Sequence, residues 1–327
     1  MKCSFCLCEK EPSKEHIIPY ALGGSFTTFS VCKNCNSSLG STIDNKFIDN
    51  IFNRLSRCQT GLAGQNGGRI RSIYDHSTGE LKDCGVVFHG DRDGQPNINQ
   101  KIDVEVTSAE VRVNAVFPTW ADSKRIKGSI KSAVFGKLKE ADSKTDESVL
   151  LKQAEKIADD AYLRGIIGTS KDVTIHETIN LDDLTLAFMK MSYEIACEEF
   201  GEPYYAYSRT AGILRGAIRL NNAQACIHGQ VFISDSFIKA VLDKASAGTN
   251  HVIILLDGAA IISVFGICSV IRYEESDKRF MYSVDSAPIF LLDYKRRTNS
   301  RTTLLNWFSS HDSLDVSSFV DGICAEK

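Results

Sequence analysis

Cysteines 3, 6, 32 and 35 form two Cys-x-x-Cys pairs, and nothing else in this 327-residue chain restricts its folding so tightly. A two-residue gap lets both thiolates of a pair reach one tetrahedral ion from a tight turn. Two such pairs supply the four ligands of a closed structural zinc site. The chain has 11 cysteines, of which five (Cys3, Cys6, Cys8, Cys32, Cys35) crowd into the first 35 residues and six are scattered singly. Cys8 is too close to Cys6 for the usual chelate and is read as a bystander. The N-terminus has no apolar leader and no apolar run of about 18 residues follows it. The chain is therefore expected to be cytoplasmic, where clustered thiols bind metal rather than form disulfides.

The two pairs are separated by residues 7–31, a gap of 25, longer than the roughly 15–20 of a plain zinc ribbon. The insert reads as a hairpin. Residues 15–18 (Glu-His-Ile-Ile) suit a short strand, Pro19 ends it, Gly23-Gly24 gives turn chemistry, and residues 26–31 suit a second strand. A helix is then expected, because Leu39, Ile43, Phe47, Ile51 and Leu55 recur every four positions, with Ile48 and Phe52 alongside. The N-terminal order is strand, turn, strand, helix over residues 1–57.

Within this frame stand Ser-Lys-Glu-His-Ile-Ile-Pro-Tyr-Ala-Leu-Gly-Gly (residues 13–24) and Cys-Lys-Asn-Cys-Asn (residues 32–36). Taken with the first knuckle, these motifs resemble the HNH endonuclease family in its form with a four-cysteine zinc, over about residues 3–50. The resemblance implies a ββα-metal module that hydrolyses phosphodiester bonds of DNA, RNA being the other candidate substrate. It also implies roles for single positions. His16 matches the general base. Glu15 and Asn36 match ligands of a catalytic Mg²⁺ or Mn²⁺, distinct from the structural Zn²⁺ on Cys3, Cys6, Cys32 and Cys35.

The chemistry agrees with those residue types. A histidine titrating near about 6.5 can take a proton from water at neutral pH, and hard oxygen ligands suit a divalent ion that keeps its waters. Neighbours on a strand point to opposite faces, so Glu15 and His16 serve one site only if the strand end bends or one of them works through its backbone. The family often has a middle Asn that orients the histidine. Thr27 and Thr28 stand there instead, and a Thr hydroxyl or a backbone carbonyl is expected in its place. Asp44 lies eight positions after Asn36, about 12 Å along a continuous helix, and is read as supporting the site from behind its ligands or as structural. Gly40 either leaves room for a DNA backbone or serves packing.

Net charge is −3, split into +2 over residues 1–60 (seven Lys/Arg, five Asp/Glu) and −5 over the rest (31 against 36). Such a chain is no general DNA coater, so phosphate must be gripped locally. The run Lys295-Arg296-Arg297 with Arg301 suits phosphate contact or a solvated loop. His76, His89, His176, His228, His251 and His311 have no partner spacing, and Cys226-x-His228 is too isolated for a metal site.

Residues 58–69 read as a linker, and residues 70–327 as a larger mixed α+β domain. Its expected elements are a turn at Asp75–Gly79, alternating strands over 102–116, helices over 147–164 and 181–200, and a hairpin over 252–271 turning at Asp257-Gly258. The fold class is thus α+β, an N-terminal ββα-metal module with zinc knuckles joined to a second domain. That domain carries no catalytic signature. Sensing a ligand, reading DNA and forming a homodimer are its candidate roles, and analogy suggests a bacterial anti-phage or restriction-type nuclease. Two alternatives are a non-catalytic zinc-knuckle protein that binds nucleic acid, and an HNH effector activated by a small molecule such as a cyclic nucleotide or by a protein. No membrane partner is expected.

Overall fold

The computed structural model describes residues 1–64, 70, 78–81, 86–90, 96–98, 101–107, 110–117, 122–164, 173–176, 179–224, 228–231, 236–273 and 277–311. By proximity the chain divides into two compact units, Met1–Arg71 with Ile179–Lys327, and Ser72–Thr178. The sequence expectation was a boundary over 58–69. Instead, the N-terminal segment and the last part of the chain share one unit, and residues 58–60 complete a helix. The physical reason lies in the core. Ile17, Ile18, Leu22, Val31, Leu39, Ile43 and Phe47 are buried in one cluster with Leu184, Phe188, Met191, Ile195, Ile253 and Leu292. So small a segment cannot bury these side chains alone, and each contributes about 1.5–3 kcal/mol only when covered.

In this first unit, β1 (Pro12–His16) pairs antiparallel with β2 (Thr27–Cys32), with an irregularity in register between Ser13 and Glu15. Between them, Tyr20–Leu22 form a 3₁₀ turn. The expected single helix is interrupted. It runs as α1 (Lys33–Leu39), a π-helical turn over Gly40–Asp44, and α2 (Asn45–Ile48); α3 (Ile51–Thr60) then starts afresh. The Asn50 side chain caps α3 by accepting from the Phe52 N–H at 3.0 Å, which is why the chain breaks there. Leu39, Ile43 and Phe47 are buried as the four-residue pattern predicts, but Phe52 and Leu55 are exposed and α3 buries Asn53, Arg54 and Arg57 instead.

The helix Leu181–Phe200 matches its expectation and is buried on nearly every side from Leu184 to Cys197. A six-stranded antiparallel sheet lies in the same unit, in the order Thr298–Thr303, Pro288–Asp293, Asn250–Leu256, Ala259–Val264, Ile267–Arg272 and His228–Val231. The expected hairpin over 252–271 is therefore three strands. Asp257-Gly258 makes its first turn, and Phe265-Gly266 a second in which both residues take positive φ (50° and 80°), the geometry that suits the twist of a tight hairpin.

The second unit holds a four-stranded sheet ordered Pro96–Ile98, Val86–Gly90, Thr78–Leu81 and Val173–His176, and the hairpin Lys101–Val106 with Val111–Val116 expected from alternation. Helices Ser123–Ala141 and Glu147–Arg164 pack through Ile130, Val134, Ala154 and Ala158. The second helix was expected; the first was not. Of the expected turn at Asp75–Gly79, residues 75–77 lie outside the described residues, and Thr78 and Gly79 are strand. No helix among the described residues is long and apolar enough to cross a membrane.

Candidate functional site

The first and second knuckles meet. One sulfur each from Cys3, Cys6, Cys32 and Cys35 lies within 4.8 Å of the others, and Cys6 and Cys32 sulfurs are 3.9 Å apart. Tetrahedral zinc with Zn–S bonds of about 2.3 Å sets its sulfurs about 3.8 Å apart, so the four thiols fit that ion. Local geometry prepares them. Leu7 adopts φ 58°, its N–H bonds to the Cys3 carbonyl at 2.8 Å, and the Cys32 N–H donates to the Cys3 sulfur at 3.3 Å. Cys8 stays outside the group, exposed, with its thiol donating to the Cys6 carbonyl. The knuckle is tied to the buried helix by the Tyr193 hydroxyl, which donates to the Ser4 carbonyl at 2.5 Å.

His16 closes β1, half-buried. Its Nδ1 lies 3.2 Å from the Gly24 carbonyl. A carbonyl only accepts, so Nδ1 carries the proton and Nε2 keeps a free lone pair. The orienting role expected of a middle Asn thus falls to a backbone carbonyl. Thr27 sits opposite His16 in register, and the buried Thr28 bonds to Ser30 at 2.9 Å. Burial pushes the His16 pKa below 6.5, and the nearby charges of Lys14, Arg297 and Lys190 push it the same way.

The turn that presents Gly24 is clasped by the C-terminal sheet. Gly23 has φ 87°, and a Cβ there would lie 2.5 Å from the Tyr294 Cβ; one on Gly24 would lie 1.8 Å from the Ile18 carbonyl oxygen. Only glycine fits either place. Arg297, itself at φ 56°, donates to the Tyr20 carbonyl at 2.8 Å and the Ala63 carbonyl at 3.0 Å. Its guanidinium lies 3.7 Å from the centre of the Tyr20 ring, which meets the His16 ring edge-on. His251, fully buried, sits 2.8 Å from the Leu22 carbonyl through Nε2 while its Nδ1 accepts from the Phe265 N–H. Of the basic run, Arg297 is thus spent on this clasp and Arg301 on Glu199 at 2.7 Å, while Lys295 and Arg296 stay exposed.

Glu15 lies on the other side of the strand. Its carboxylate is buried and receives the Lys190 ammonium at 2.5 Å. Lys190 also reaches both Asp44 oxygens at 3.0 Å and Glu194 at 3.4 Å, and its side chain is 0% exposed. Burial opposes its charge, but Asp44, Glu194 and Glu15 hold its pKa above the ordinary lysine range. Burial pushes Glu194 well above the usual carboxylate range, and neither of its oxygens has a hydrogen-bond partner among the described residues. Asp44 reaches this group as the last residue of the π turn, a break in helical register that the reading of one continuous helix did not contain.

Asn36 does something else. Its NH₂ group donates to Ser13 Oγ at 3.1 Å and to the Lys14 carbonyl at 2.9 Å, pinning β1 to α1. Glu15 and Asn36 therefore have different side-chain partners, and the Asn36 bonds use its NH₂ group and not its Oδ1. A Cβ on Gly40 would meet nothing within 4 Å, so no packing contact requires that glycine. Lys190, Glu194, His251 and Arg297 were not foreseen as parts of this site. Cys226 lies outside the described residues, as do His76 and the side chain of His228.

No curated protein and no solved structure matches the chain. Residues 3–52 match the family model described as HNH endonuclease. That match falls on the very segment where four thiols converge, so the N-terminal segment is similar to HNH endonucleases.

Proposed function

We propose that the chain is a metal-dependent endonuclease that hydrolyses phosphodiester bonds of DNA, with His16 as general base. The observation that carries this reading is the state of His16. It is neutral, its Nδ1–H is held by the Gly24 carbonyl, and its Nε2 is left free to take a proton from water. Burial lowers the His16 pKa, and the charges of Lys14 and Arg297, which act in the same direction, also favour an approaching phosphodiester. Attack by the resulting hydroxide on phosphorus expels a sugar oxygen, where the Mg²⁺ or Mn²⁺ implied by the resemblance would supply charge neutralisation.

The proposed setting is defence against phage, as a restriction-type nuclease, supported by the resemblance alone. Residues 72–178, a compact unit of their own, are the part we propose for reading DNA, sensing an activator or pairing two chains. The test is plasmid cleavage over a Mg²⁺ and Mn²⁺ series with wild type and His16→Ala. The variant is expected to keep its zinc and lose about 10²–10⁴-fold in rate. Full activity in His16→Ala would overturn the assignment; DNA binding without cleavage under every metal would favour a non-catalytic zinc module.

A further inference from the structure

We propose that the Lys190 ammonium is the permanent cation partner of Glu15 and Asp44, and that Glu15 is a positioning residue for His16 and not a ligand of the divalent ion. The inference deepens the nuclease reading and rests on it.

The ammonium is already saturated. It has three protons, and it donates to Glu15 at 2.5 Å and to both Asp44 oxygens at 3.0 Å, with a Glu194 oxygen 3.4 Å away as a further ion pair. A divalent ion bound by Glu15 would take the place of this ammonium at its shortest contact, 2.5 Å. It would set two cations against each other where the Lys190 side chain, fully buried on a helix that is buried on nearly all sides, cannot withdraw to solvent. Nor does the pocket offer the water that Mg²⁺ retains, since the Glu15 side chain is only 6% exposed. Strand geometry adds an independent argument. Glu15 and His16 are adjacent on β1, so their side chains leave opposite faces, and the observed partners agree: Glu15 meets Lys190, His16 meets Gly24 and Tyr20.

What the group does instead is mechanical. One ammonium ties β1 through Glu15, the end of the π turn through Asp44, and the long helix. The backbone of Glu15 leads directly into His16, so holding Glu15 holds the base. Asn36 grips the same strand one residue earlier, through the Lys14 carbonyl. The general base is thereby fixed by residues up to 175 positions away in sequence.

The test uses the full chain with its zinc retained. Mn²⁺ binding is titrated by electron paramagnetic resonance in wild type and Glu15→Gln. The expected Kd ratio is within about twofold, against the weakening of about 10-fold or more expected where a group supports the metal; no measurable binding in either protein would count against the metal-dependent nuclease reading itself. A weakening of that size in Glu15→Gln alone overturns the proposal. Kinetics separate positioning from bulk destabilisation: Glu15→Gln lowers kcat while leaving KM for a DNA duplex unchanged, and a rise in KM for metal or DNA counts against it. A third measurement is independent of any cleavage. Urea unfolding of Lys190→Met, Glu15→Gln and the double variant is expected to show the double with a higher midpoint than Lys190→Met, or folded where the single is not. Additive losses would mean that Lys190 and Glu15 are not partners, whether or not the chain cuts DNA.

Discussion

Acid should weaken this fold through one histidine. His251 is fully buried; its Nδ1 accepts from the Phe265 N–H and its Nε2–H therefore donates to the Leu22 carbonyl. Protonation puts a second N–H on the side where Phe265 already presents one, and no carboxylate is seen to neutralise the new charge among the described residues. Burial accordingly pulls its pKa from 6.5 down to about 4, against the lift from the Leu22 carbonyl. The sign follows from proton counting. The unfolded chain binds a proton here near 6.5 and the folded chain only near 4, so stability falls as pH falls between those values and the loss is complete below about 4. At pH 5 it amounts to about 2 kcal/mol, and in full to roughly 3 kcal/mol. The assay is urea unfolding of wild type and His251→Gln at intervals from about pH 7.5 to 4.5. Glutamine keeps an N–H donor and an oxygen acceptor but does not titrate. Carboxylates and zinc ligands are common to both proteins and cancel, so the wild type should lose about 2 kcal/mol more than the variant by pH 5. Parallel profiles would refute the reasoning.

Two further perturbations test the clasp and the knuckles. Gly23→Ala puts a methyl group into Tyr294 at φ 87° and should cost about 2–5 kcal/mol from backbone strain and overpacking. Gly61→Ala, at φ 71° but with nothing within 4 Å, should cost only the strain, about 1–2 kcal/mol; equal falls in Tm would contradict the packing argument. Zinc removal by a chelator should unfold the N-terminal segment, as for other small thiolate sites. Cys32→Ser should lose the metal while Cys8→Ser retains it, as read from zinc released to a chromogenic dye.

What could be read from the sequence was local. Cysteine spacing located the knuckles, strand propensity and the Pro19 and Gly23-Gly24 punctuation gave the hairpin, and His16 followed from the motif. The helical pattern failed at Asn50, where a capping side chain outweighed the four-residue recurrence of apolar residues. The groups that hold the hairpin were hidden because they act across the fold. Two of them did leave a trace. Lys190 and Glu194 stand one helical turn apart in a stretch from Leu184 to Cys197 that is otherwise almost free of charge, and a charge within so apolar a helix usually has a buried partner. His251 is the second residue of the strand Asn250–Leu256, which is apolar from Val252 on. Arg297 left none: its place depends on a tight turn after Asp293 that brings it back to Tyr20.

The distance between the signature and its supports bears on synthesis. A ribosome that has released the first 180 residues has made every position of the family motif, yet Lys190, His251, Tyr294 and Arg297 are still to come. Until they emerge, the Pro19–Gly24 turn lacks its floor and Glu15 its counter-charge. Contacts between such remote parts form late in folding. The half-made chain therefore carries every position of the family motif without the contacts that hold the motif in shape.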